Sequence, residues 1–188
     1  IKQCAPEFAP IIELIAREKL ANPTQLPGPT GEDNRLSLLG RGPMLLAVTQ
    51  ADTIAAAEKQ IASALLCGCP VIVAADQSHR AALEAIQSSY QQAALPSELL
   101  QLEPLQRLAG IVKDNGIEGI MANSLNKDSS QIRQLMAERT GSIIPLIEWP
   151  ENDRGYNYHW LLWFLSERTR TENLVARGGN TQLFNLAE

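Results

Sequence analysis

Between residues 50 and 147 the spacing of apolar residues switches repeatedly between two periods, and this restricts the possible folds more than any other feature. Ile54, Ala57, Ile61 and Leu65 recur every three to four residues. So do Leu83, Ile86 and Tyr90, then Leu105, Leu108 and Ile111, then Ile132, Leu135 and Met136. Each set marks one buried face of a helix. Between them stand short uninterrupted apolar runs: Val71–Ala74, Leu99–Leu102, Ile117–Met121 and Ile143–Ile147. Runs that do not alternate with polar residues are strands covered on both faces. Strand and helix in alternation predict an α/β fold, a mostly parallel sheet with crossover helices on both faces. Pro145 has no N–H to give to a ladder, which predicts an edge position or a bulge for the last strand.

The flanks follow other rules. Phe8, Ile11, Ile12 and Ile15 share one helical face within residues 6–21, and Asn22-Pro23 stops that helix. A Pro/Gly-rich loop leads to two extended runs, Arg35–Leu39 and Met44–Val48, around Gly40-Arg41-Gly42-Pro43, as in a hairpin or a strand-turn-strand. Tyr156, Tyr158, Trp160, Trp163 and Phe164 predict a heavily buried helix. From Arg168 to Val175 the chain reads as extended and polar until Gly178-Gly179. The expected organisation is a connecting helix and linker (1–25), an α/β domain (26–166) and an extended C-terminal tail (167–188).

Composition excludes several functions. The apolar fraction is 45% and the charged fraction 20%, which is globular rather than disordered. Sixteen Lys and Arg against twenty-one Asp and Glu leave a net charge of −5, contrary to what a nucleic-acid coat needs. No apolar run approaches the ~20 residues that span a bilayer. The N-terminus lacks the pattern of a signal peptide, and three cysteines are an odd number, so reduced thiols and a cytoplasmic location are expected. The first residue is Ile1 rather than Met, which fits a piece of a longer polypeptide.

Each candidate for chemistry has a plainer structural reading. Gly40-x-Gly42 lacks the third glycine of a dinucleotide loop and reads as a turn. Cys67-Gly68-Cys69 has neither redox nor zinc spacing and reads as a glycine helix cap between two small buried residues. Asp76, Ser78 and His79 are too close in sequence to act in series, and Asp76 or Ser78 reads as an N-cap. His159 reads as packed among aromatics. Glu148 ends a strand, where a general base would stand, but has no nucleophile to serve. Arg168, Arg170 and Arg177 with Gly178, Gly179 and Asn180 read as a basic, flexible segment. Leu183 and Phe184 behind it suit an interface arm. No catalytic, cofactor-binding or metal-binding residue is assigned; the candidate interface is Arg177, Gly178, Gly179, Asn180, Leu183 and Phe184.

Two blocks carry a family resemblance. Leu26-Pro27-Gly28-Pro29-Thr30-Gly31-Glu32-Asp33-Asn34 resembles the LPGPTGE(R)N segment near the end of bifunctional proline utilization A proteins. Glu167 through Leu183 resembles the ERS…NTAAAGGNASL ending of that family. Between the blocks, Leu65–Val73, Ala93-Ala94-Leu95-Pro96, Ile117–Leu125 and Ile144–Glu148 resemble the Rossmann-like NAD-binding domain of aldehyde dehydrogenases. The family joins a flavin-dependent proline dehydrogenase to an NAD-dependent glutamate-semialdehyde dehydrogenase, so FAD and NAD are implied for the parent and neither for this chain. The family's ribose-binding lysine falls on Ala74, its FTGS loop on Ala122-Asn123-Ser124-Leu125, and its ELGGK on Glu148-Trp149-Pro150. No cysteine follows Cys69 to form a thiohemiacetal. The resemblance therefore implies a non-catalytic C-terminal domain that packs on the catalytic domains of the same polypeptide and helps close a substrate-channelling cavity. A second protomer is the other partner it admits. It further implies no nucleic-acid binding by this segment, and a cytoplasmic parent with a peripheral place at the inner membrane. The alternative is a regulatory module that still binds NAD.

Overall fold

Caps and glycines decide where the periodic segments begin and end. In the computed structural model, which describes residues 8–123, 129–149 and 158–174, the first elements are α1 (Phe8–Arg17), β1 (Thr24–Leu26), β2 (Glu32–Gly40), β3 (Met44–Val48), α2 (Ile54–Leu66), β4 (Val71–Ala75) and α3 (Arg80–Gln92). They are followed by β5 (Leu100–Pro104), α4 (Leu108–Lys113), β6 (Gly119–Asn123), α5 (Ser129–Ala137), β7 (Leu146–Trp149), α6 (Tyr158–Leu161) and β8 (Leu165–Asn173). Thr53 starts α2, its hydroxyl accepting the Ala56 amide at 3.2 Å. Three helices end in one motif, the last two amides folding back on the final turn. Lys19 and Leu20 donate to Ala16 and Ile15, Gly68 and Cys69 to Leu65 and Ala64, and Ala94 and Leu95 to Gln91 and Tyr90. This motif needs one left-handed residue. Gly68 supplies it at φ +83°, Lys19 at +54° and Ala94 at +64°.

The five parallel strands lie in the order β5-β4-β3-β6-β7. Alternation along them feeds two cores. Met44, Leu46, Val48, Val71 and Val73 meet α1, α2, α3 and α6 on one face. Leu45, Ala47, Ala74, Ile120 and Ala122 meet α4 and α5 on the other. Helices on both faces of a parallel sheet are the architecture that the periodicity predicts.

One open choice is settled and three expectations are corrected. Of the two readings of the Arg35–Leu39 and Met44–Val48 runs, the strand-turn-strand holds and the hairpin does not. β2 belongs to a separate antiparallel sheet of order β1-β2-β8, so the turn at Gly40–Pro43 links two sheets. A Cβ on Gly40 would stand 2.6 Å from the Gly68 carbonyl oxygen, so glycine permits the close approach of the two chain segments. The Ile143–Ile147 run pairs only from Leu146, because Pro145 donates nothing; its carbonyl accepts the Ile120 amide at 2.9 Å, and Ile143 is fully exposed. β7 is an edge strand, as Pro145 predicts. The aromatic segment is one short helix followed by a 3₁₀ turn. Trp160 and Phe164 are buried edge to face with ring centroids 4.7 Å apart, but Trp163 is half-exposed and His159 is exposed rather than packed. Finally, Arg168 and Arg170 do not sit on a flexible segment. They lie in β8, which pairs with β2 along nine residues.

Candidate functional site

In an open parallel sheet the natural crevice lies at the C-terminal strand ends, where the chain order reverses. Here the order runs outward from β3 through β4 to β5 and then returns to β6, so the crevice falls between β3 and β6. A cleft of about 310 Å³ lies there, lined by Thr49 after β3, Leu105, Gln106, Leu108 and Ala109 at the start of α4, and Ile132 and its neighbours on α5. These side chains are apolar or neutral.

The β3–α2 loop beside it is held by side-chain hydrogen bonds. The Asp52 carboxylate, buried, accepts the Thr49 amide at 2.6 Å and the Thr49 hydroxyl at 2.9 Å through the same oxygen. Thr53 then caps α2. At the end of β4, Asp76 Oδ1 accepts the amide and hydroxyl of Ser78, both at 2.9 Å, and Ser78 Oγ lies 3.0 Å from His79 Nδ1. Because the serine proton goes to the carboxylate, the histidine nitrogen must donate. The serine is thus a relay in a cap, with no base acting on it. These bonds, the Ser78 amide first, hold the Asp76 carboxyl below the usual range.

Glu148, the penultimate residue of β7, is tied to Arg133 of α5 at 2.7 Å, both partly exposed. Ala74 is fully buried in mid-β4, opposite Ala47 on one side and Glu103 on the other. Cys67 is the C-cap of α2, and burial pushes its thiol up to about 12. Cys69 is also buried and also raised by burial; its thiol donates to the Phe164 carbonyl at 3.1 Å. The glycine-cap reading of Cys67-Gly68-Cys69 therefore holds. Among the described residues no three His, Cys, Asp or Glu gather as metal ligands, and no helix is long and apolar enough to cross a membrane. Arg177, Gly178, Gly179, Asn180, Leu183 and Phe184 lie outside the described residues, as do Ser124, Leu125 and Pro150.

Sequence reasoning missed two arginines. Arg41 donates through its amide to Phe164 (2.9 Å), through Nε to Trp163 (3.0 Å) and through Nη2 to Leu165 (3.0 Å), closing the end of the β2–β8 pair where the chain leaves for β3. Arg139 donates to the carbonyls of Val112, Asp114, Ile117 and Ser142. Neither has a local signal, since the carbonyls that Arg41 holds are more than 120 residues away.

No family model matches the chain, and no curated protein matches it in sequence. Solved structures do. A mutant of Bradyrhizobium japonicum proline utilization A is 25% identical with a TM-score of 0.65, over 76% of this chain and 15% of that one. A proline utilization A with proline bound in remote sites is 25% identical with a TM-score of 0.62, over 68% and 13%. The fold is that of an aldehyde-dehydrogenase-superfamily domain of proline utilization A. A succinic semialdehyde dehydrogenase from Streptococcus pyogenes, solved with NADP+, shares this superfamily fold at a TM-score of 0.58 and 11% identity, over 75% of this chain and 31% of that one. The match covers only 13–15% of the length of the two proline utilization A chains.

Proposed function

We propose that the chain is a non-catalytic domain of a bifunctional enzyme that oxidises proline to glutamate with FAD and NAD. It packs on the aldehyde dehydrogenase region and helps to close the cavity that carries the semialdehyde between active sites. Holding a labile intermediate close to the second site raises its effective concentration there. The observation that carries the reading is the burial of Ala74. The family's cofactor lysine falls at a position with no access to solvent, packed between two strands and the α4–α5 core. The described cleft lining carries no cation to meet a pyrophosphate. The residues present do not fit a dinucleotide. The two described thiols are buried and held protonated, unlike a thiolate nucleophile.

One observation favours the second reading, an NAD-responsive regulatory module: the cleft stands where α/β sheets hold their ligands. Calorimetric titration with NAD separates the two, and micromolar binding would favour the module. The architectural reading is tested in the parent polypeptide shortened before Phe8, because Ile11 and Leu14 of α1 are buried in the same core and must leave with it. Proline oxidation is expected to persist while NADH formation falls or gains a lag. Unchanged rates without a lag would refute it.

A further inference from the structure

We draw no further inference here: the strongest candidate, the groove between α1 and the C-terminal end of α2 lined by Ile12, Ile15, Ala16, Lys19 and Leu66, is an unpartnered and mostly apolar face, and nothing in the structure shows what covers it.

Discussion

Ala94 and Lys19 occupy a backbone conformation that a β-carbon resists, at the same place in the helix-ending motif where α2 uses Gly68. Relief of that strain exceeds the added freedom of the unfolded chain, so Ala94→Gly and Lys19→Gly should each stabilise by up to ~1 kcal/mol. Gly68→Ala should destabilise by about the same amount. Urea midpoints decide all three. Cys67 and Cys69 are buried and held protonated, so iodoacetamide at pH 8 should label them at least ~100-fold more slowly in the folded chain than in urea. Asp76 supplies a pH test. Its folded pKa is lowered, so on acidification the unfolded chain takes up the proton first. The stabilisation is complete above about pH 4 and is lost as the pH falls through the lower folded value. Asp33, lowered chiefly by its bond from Arg35, behaves likewise. Asp76→Asn should flatten the slope of stability between pH 5 and pH 3, read from urea midpoints. The cap at Asp76 was legible because side-chain capping is local. The strain at Lys19 was not, because composition does not say which residue will be left-handed.

The two long-range arginines matter most at the level of elements. Arg139 closes the ends of α4 and α5 on four carbonyls, and Arg139→Ala would leave those acceptors short of a donor, a loss of about 2 kcal/mol in urea unfolding. Arg41 ties the turn after β2 to the segment before β8. Arg41→Ala should therefore speed exchange of the β2 and β8 amides while those of β3 and β4 stay protected, a local opening rather than global unfolding. Arg41→Lys should rescue this only in part, because an ammonium cannot reach two carbonyls with a planar fork. Helices and buried strands were legible because a period of 3.6 or a solid apolar run records burial in the local sequence. The aromatic segment was expected to be heavily buried, but of its described side chains only Trp160 and Phe164 face the core and Trp163 turns to solvent, because three aromatics spread over five residues cannot share one face.

For the whole molecule, Ala74 joins fold and proposed role. Ala74→Lys would bury an ammonium and should destabilise by ~3 kcal/mol or more, without restoring NAD binding by calorimetry. The α/β class, the parallel sheet and its double covering were determined by the sequence alone, because crossover helices and two-sided burial each leave a periodic trace. Only the tertiary structure decided the strand order, the crevice between β3 and β6 and the second sheet. That sheet pairs residues 32–40 with residues 165–173, and pairing over such a distance is selected by what the rest of the chain brings together. Residues 168 and 170 read as part of a basic, flexible segment until β2 lies beside them, with Arg35 opposite Arg170.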